Sequence, residues 1–388
     1  MTESPGVRRI ESVDLLRGLV MIVMALDHTR DFFGMPGANP TDMATTTAPL
    51  FLTRWITHIC APTFFLLTGV GAGLLRTRRT AADVARYLVA RGALLIVLEL
   101  TVIRGFAYQF NVDYRVTLFV VIWALGWAMI FVGALVFLPT PLIAAIGGLI
   151  VAGHNLLDSV RSANPFWVIL HGPGFVLRTP EHTIFAAYPL IPWIGVTVVG
   201  YALASIYQWP AERRRRALLG LGFGAVAAFL ALRFANGYGD PVPWKAQSTS
   251  LMTTLSFLNT NKYPPSLLFL LMAFGPALLI LRAVDGVTPR LLRPALEYGR
   301  VPFFYYVAHF ALIHLFAVLV AGAQYGAVHW MFESPSLDKY PFTPPPGWGY
   351  SLPVVYLVWI GVVAALYPWC KRFAALKARR THVWLSYF

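Results

Sequence analysis

The stretch Val13–Phe33 reads VDLLRGLVMIVMALDHTRDFF, and its reading decides what kind of protein this is. At about 1.5 Å per residue it is long enough to cross the hydrocarbon core of a bilayer. Unlike an ordinary span, it carries charge. Asp14, Arg17, Met21, Met24, His28 and Asp31 follow one another at spacings of 3, 4, 3, 4 and 3, which places all six on one helix face. Asp14 and His28 are then roughly 21 Å apart along the axis. A charged side chain at mid-membrane costs at least about 2.5–3.5 kcal/mol, so this stripe must face a protein interior or a wet cavity. No small-residue cleavage site follows, and the stretch does not read as a cleavable signal peptide.

Composition extends the same reading to the whole chain. Of 388 residues, 57% are apolar and only 12% charged, with a mean hydropathy of +0.63. A soluble domain carries about 25% charged residues; this chain has too few to cover its exterior in water. Ten apolar runs are long enough to be helical spans: Val13–Phe33, Leu50–Leu75, Tyr87–Ile103, Val116–Leu138, Leu142–Leu157, Ile184–Tyr207, Ala217–Phe234, Ser266–Leu281, Val301–Ala321 and Leu352–Trp369. The net charge of +14 comes from short clusters between them. These are Arg8-Arg9, then Arg76, Arg78, Arg79 and Arg86, then Arg213 to Arg216. They continue with Arg282, Arg290, Arg293 and Arg300, and close with Lys371, Arg372, Lys377, Arg379 and Arg380. The alternate connections are longer, rich in Pro, Gly, Asn and Trp, and nearly balanced in charge. Basic loops mark the cytoplasmic side. The expected architecture is therefore an all-α, polytopic membrane helix bundle of about ten transmembrane helices with both termini cytoplasmic. Cys60 and Cys370 lie inside apolar runs, which points away from a disulfide framework and a thiolate metal site. Soluble enzymes, nucleic-acid binders and secreted disulfide scaffolds are excluded.

The ionisable groups inside the spans are the functional candidates. Asp14 and Arg17 read as an ion pair at the cytoplasmic edge. His28 lies about 9 Å below the outer helix end, with Asp27 and Asp31 available to orient its ring. Arg54, His58 and Pro62 share a face of the second span, with His58 at a similar depth, so the two histidines are expected to face one cavity as an acid–base pair. A packing role is the alternative for each. Gly69, Gly71 and Gly73 read as close helix contacts. Glu99 is expected to pair with Arg91 or Arg104, and His309 lies near mid-membrane, about 140° from His314 on its helix. His154, His171, His182 and His329 are expected at the outer surface. Tyr188-Pro189-Leu190-Ile191-Pro192-Trp193 is expected to be a broken helix wall at the external mouth. Walker, Rossmann, HExxH and G-x-S-x-G motifs are absent.

These residues resemble a family. Arg9-x-x-Ser12-Val13-Asp14-x-x-Arg17-Gly18, running on to Met24-Ala25-Leu26-Asp27-His28, is similar to the start of the heparan-alpha-glucosaminide N-acetyltransferase family and its bacterial relatives. Further similarities are His58-x-x-Ala61-Pro62-Thr63-Phe64-Phe65, Tyr188 to Gly195, Lys262-Tyr263-Pro264-Pro265 and Gly299 to His309. They run in family order from residue 9 to about 320. The opening also resembles the broader acyltransferase-3 family, in which an Asp-x-x-Arg pair precedes a catalytic His by the same 14 residues that separate Asp14 from His28.

The resemblance implies a single integral-membrane acyltransferase domain over 1–388, with motifs mainly in 9–75 and later spans in 184–322 completing the cavity. It implies transfer of an acetyl group from cytoplasmic acetyl-CoA to an amino sugar or other glycan on the external side, in a cell membrane. His28, Asp27, Asp31 and His58 are then the catalytic candidates. Asp14, Arg17, Arg76, Arg78 and Arg300 would hold coenzyme A, since arginine binds phosphate bidentately. Arg54, Tyr188, Trp193 and His309 would meet the acceptor. In lysosomal members the catalytic His lies between the first two spans. Here Thr29–Thr57 contains no His, so the role falls on His28 or His58. The partners expected are the bilayer, the coenzyme A thioester and the acceptor; a homodimer is left open, and neither a metal nor nucleic acid is expected. The competing reading is a proton-coupled transporter with Asp27, His28, His58, Glu99 and His309 as a relay.

Overall fold

The protein is seen in a computed structural model that describes residues 10–339 and 341–379. Arg8, Arg9 and Arg380 of the basic clusters lie outside the described residues. The chain is mostly helical, and each of the ten apolar runs contains a helix. In chain order these are α1 (Glu11–Phe33), α2 (Ala48–Thr57) with α3 (Cys60–Arg76), and α4 (Ala81–Leu98), which continues as a π-helical stretch over Glu99–Tyr108. Next come α5 (Val121–Leu135), α6 (Thr140–Gly153), the short α7 (Pro165–Leu170) and α8 (Leu190–Leu203). The last are α9 (Ala211–Ala235), α10 (Ser250–Leu258), α11 (Leu267–Ala283), α12 (Arg293–Arg300), α13 (Pro302–Tyr325) and α14 (Leu352–Ala378).

Among the described residues, six helical segments are long and apolar enough to cross a membrane: Ala48–Arg76, Thr140–Leu157, Leu190–Gln208, Ala211–Ala235, Pro302–Tyr325 and Leu352–Ala378. Helices α5 and α11 are apolar but shorter. Helix α1 has the length, but it carries Asp14, Arg17, Asp27, Arg30 and Asp31. The apolar windows of α2–α3 and α8 are each 67% buried, whereas those of α9 and α14 are 22% and 17% buried. The first two are therefore central, and the last two present apolar surface outward.

Two expected spans begin as strands instead. Val116–Phe119 forms β1 and Thr183–Ala186 forms β3, which pair in parallel; Gly174–Arg178 forms β2, antiparallel to β3. Val116, Thr117, Thr183 and Ile184 are β-branched and half-buried or buried, which favours extended backbone. The expected broken helix at Tyr188–Trp193 is likewise a helix start. Pro189 is the N-cap of α8 and Pro192 sits in its first turn, where no intrahelical hydrogen bond is lost.

Helix α1 packs on α3, α12, α13 and α14. Its approach to α12 is set by backbone contact. A Cβ on Gly18 would lie 1.7 Å from the Ala295 carbonyl oxygen, and one on Gly299 would lie 1.8 Å from that of Asp14. Gly69 does the same for α3 against α8, where a Cβ would lie 2.0 Å from the Thr197 oxygen; Gly71, by contrast, meets nothing within 4 Å. The two cysteines are free and buried.

Overpacking a filled contact costs about 1–3 kcal/mol. Gly18→Ala should therefore lower the thermal midpoint of the purified protein clearly. Gly148→Ala, at an exposed helical site with open space around it, should leave the midpoint unchanged or raise it. Equal behaviour of the two variants in a melting experiment would refute the close-contact account.

Candidate functional site

Residues of the α1 stripe line two cavities, one toward each end of the helix. Asp14, Arg17, Met21 and Met24 line an inner cavity of about 470 Å³. Asp31 lines an outer cavity of about 420 Å³ together with Arg30, Phe32 and residues of the loops at 34–40 and 338–351. His28 stands on the same face between Met24 and Asp31, and it keeps part of its surface exposed. The inner cavity has a basic rim of Arg17, Arg78, Arg79, Arg91, Arg300 and Lys377 and apolar walls that include Phe64, Leu67, Leu125 and Met129. Its upper end reaches Met24 and Tyr306, and the Tyr306 ring meets the His28 ring edge-on at 6.5 Å.

The imidazole of His28 is held by α13. His28 Nδ1 lies 2.7 Å from His309 Nε2, and the His28 ring stacks on Phe310 at 4.1 Å. His309 Nδ1 lies 2.9 Å from the Tyr305 carbonyl oxygen. A carbonyl only accepts, so His309 carries its proton on Nδ1 and offers a lone pair at Nε2. With both rings neutral, His28 Nδ1–H donates to that lone pair. His28 Nε2 is left as the basic nitrogen.

The sequence expectations about this neighbourhood divide. His58 does not pair with His28. It is buried at the end of α2, packed edge-on against Phe269 at 5.2 Å, and its Nδ1 has no hydrogen-bond partner among the described residues. Neither Asp27 nor Asp31 hydrogen-bonds His28. Asp27 pairs with Arg54 of α2 and with Arg30 at 3.0 Å, and Asp31 pairs with Arg30 at 2.9 Å. The two acids are drawn to guanidiniums, which bind carboxylates more strongly than a neutral imidazole does. The Asp14–Arg17 pair forms at 2.7 Å, and Arg17 also donates to the Gly299 carbonyl at 3.2 Å.

Glu99 pairs with neither Arg91 nor Arg104. It accepts from the backbone N–H groups of Ile122 and Trp123 at the start of α5, where a carboxylate offsets the positive end of a helix. Arg104 instead binds Asn111, Asp113 and the Val116 carbonyl. Arg76 is exposed and bonds to the Arg79 carbonyl, away from the cavity. Trp193 is fully buried and stacks on Phe65 at 4.5 Å, while Tyr188 packs between Trp193 and Tyr263. His314 turns away from His309 and meets the Met331 carbonyl at 2.9 Å. His182 and His329 are exposed, whereas His154 and His171 are buried.

Comparison with known families settles the class. A model of the heparan-alpha-glucosaminide N-acetyltransferase catalytic domain matches residues 9–232. The chain belongs to this family. It is thus a transmembrane acetyltransferase. A search of curated proteins gave no match. In this acetyltransferase the matched segment contains α1 to α8 and nearly all of α9, including His28 and Arg54. Arg300, Tyr306 and His309 lie beyond residue 232, so the second wall of the site comes from outside the match. Sequence reasoning missed Arg79, Arg91 and Lys377 as rim residues. Arg79 and Lys377 are marked only by the basic clusters, which read as topology, and Arg91 lies inside α4, where its sequence position suggests a partner for Glu99.

The side chains of Asp27 and Arg54 are 11% and 12% exposed. Removing one member of a buried ion pair costs about 3–5 kcal/mol, because the other charge is stranded. Asp27→Ala should therefore melt far below the parent, and adding Arg54→Leu should restore part of the loss. A single variant that melts with the parent would contradict the pairing.

Proposed function

We propose that this acetyltransferase moves an acetyl group from cytoplasmic acetyl-CoA, held in the inner cavity, to an amino sugar or other glycan that enters from the outer cavity. The observation that carries the proposal is the place of His28 on one helix face between the two cavities, with Nε2 left basic by His309. The diphosphate and 3′-phosphate of coenzyme A meet the rim, where Arg17, Arg78, Arg79, Arg91 and Arg300 supply planar donors suited to phosphate. The pantetheine arm runs past Met21, Met24 and Leu67 toward Tyr306 and brings the thioester to His28.

His28 Nε2 takes the proton from the acceptor amine or hydroxyl as that atom attacks the thioester carbonyl. The C–S bond breaks, coenzyme A leaves as a thiolate, and the imidazolium returns the proton to sulfur. A version in which Nε2 first attacks the thioester and carries the acetyl group uses the same atoms. His309 is a positioning residue, holding the tautomer and ring plane through its own bond to Tyr305. Arg30 and Asp31 line the outer cavity and are tied through Asp27 to Arg54, and in this reading Arg54 and Asp31 meet the acceptor.

In the same reading the ten runs are all spans, the chain is one domain in the plasma or inner membrane, and the basic rim faces the cytoplasm, where acetyl-CoA is made. Four of the five groups of the transporter relay are accounted for otherwise. Asp27 is tied to arginines, Glu99 caps α5, His58 packs on Phe269, and His309 is bonded to His28 and Tyr305.

A positioned general base contributes about 10²–10⁴ in rate. With purified protein in nanodiscs, radiolabelled acetyl-CoA and a glucosamine-terminated acceptor, His28→Ala should lose transfer by that factor while its melting curve stays close to the parent. His309→Ala should lower kcat with little change in the KM for acetyl-CoA. Arg17→Ala and Arg300→Ala should raise that KM, and added salt should raise it further in the parent. Full transfer by His28→Ala would remove the proposed base. Proton flux driven by a solute, with no acetyl consumed, would instead establish a carrier.

A further inference from the structure

Away from the α1 stripe, His154, Asp158 and His171 bring one ligating atom each to within 4.8 Å of one another. Three stretches of chain build the cluster. His154 ends α6 and opens a single 3₁₀ turn over His154–Leu157, Asp158 follows directly, and His171 caps the end of α7. His171 Nε2 lies 3.0 Å from Asp158 Oδ1, and the other carboxylate oxygen accepts from Asn155 Nδ2 at 2.8 Å. Asn155 in turn accepts from the Leu267 N–H at the start of α11.

The cluster is incomplete as a set of hydrogen bonds. His154 and His171 are each only 2% exposed. Both ring nitrogens of His154, and Nδ1 of His171, are buried with no hydrogen-bond partner among the described residues. Leaving a buried polar atom unsatisfied costs about 1–3 kcal/mol, and the His154 ring, with neither nitrogen satisfied, brings one of them to the Asp158–His171 pair. Two imidazoles, a carboxylate and that carboxylate's own hydrogen-bond partner are the parts of a divalent transition-metal site.

We infer that His154, Asp158 and His171 bind a zinc-class divalent cation that clasps the 158–183 segment to the ends of α6 and α11. Imidazole nitrogen favours such borderline cations over magnesium or calcium, which take oxygen ligands. With metal–ligand bonds of about 2.0–2.2 Å, the three ligating atoms close by about an ångström around the ion, and a fourth position stays open to water. The clasp holds α7 and β2 beside β3, and so holds the entry to α8 at Tyr188 and Pro189. It does not depend on the acyl-transfer reading, because none of its residues belongs to the His28 site.

The test uses the full chain in detergent, purified without a chelator and without a polyhistidine tag. Parent protein dialysed against zinc and then against metal-free buffer should retain about one zinc per chain by elemental analysis, and cobalt(II) in its place should give visible ligand-field absorption. Asp158→Asn is the decisive variant. Asparagine has the same shape: its oxygen still accepts from Asn155 Nδ2 and its amide N–H donates to His171 Nε2 in the other tautomer, so the fold is kept, but the anionic ligand is gone. Retained zinc should fall at least tenfold, as it should in His154→Ala, and the rise in thermal midpoint with added zinc should vanish. Parent protein that retains less than a tenth of an equivalent, or Asp158→Asn that retains as much zinc as the parent, overturns the inference.

Discussion

The approach of α1 to α12 and α13 is the constraint from which the rest of the site follows. At one end the two backbones meet at Gly18 and Gly299 with no room for a side chain, and Arg17 donates to the Gly299 carbonyl. At the other end His28 bonds to His309 and stacks on Phe310. Two segments some 280 residues apart in the chain are thus fastened at both ends of one helix face. Between the fastenings, Met21, Met24 and Tyr306 belong to the buried core and also line the inner cavity.

Charge within the apolar body is handled in groups. Asp27 and Asp31 face Arg30 and Arg54, and each carboxylate has a guanidinium close by. Glu99 is neutralised by backbone dipoles at the start of α5 rather than by an arginine. Arg233 is buried to 1% exposure, where it donates to the carbonyls of Val242, Ser256, Phe257 and Asn259 and holds the loop after α9 onto α10. These arrangements follow from one rule: a charge removed from water must be surrounded by opposite charge or by aligned dipoles. His28 differs from all of them. Among the described residues its one hydrogen bond is to another imidazole, so it is not one half of an ion pair.

The stripe on α1 was legible because helical periodicity is a local property. The residues that line the inner cavity and the one that lines the outer cavity appear in the sequence at spacings that admit no other face. The pairing of His28 was not legible. Depth along a helix can be counted, which put His58 and His28 at one level, but the rotation of α2–α3 about its axis is set by packing. That rotation turns His58 to Phe269. Glu99 misled for a related reason: backbone N–H groups at a helix start attract a carboxylate as well as an arginine does, yet they leave no mark in a list of charged residues. The strands β1 and β3 hid inside apolar runs because length and hydropathy alone do not separate a strand leading into a helix from a longer helix.

By itself the sequence determined the class of solvent this chain needs, the helical character of its apolar runs, the charged face of α1 and the family resemblance. Each of these is written in composition or in spacings of three and four residues. Tertiary structure alone decided which histidine meets His28, which arginines share the rim of the inner cavity, and that His154 and His171 are brought together inside the protein. Those outcomes depend on the relative rotation and closeness of helices distant in the chain, set where glycine backbones touch and where side chains of opposite character meet, and no local pattern encodes them.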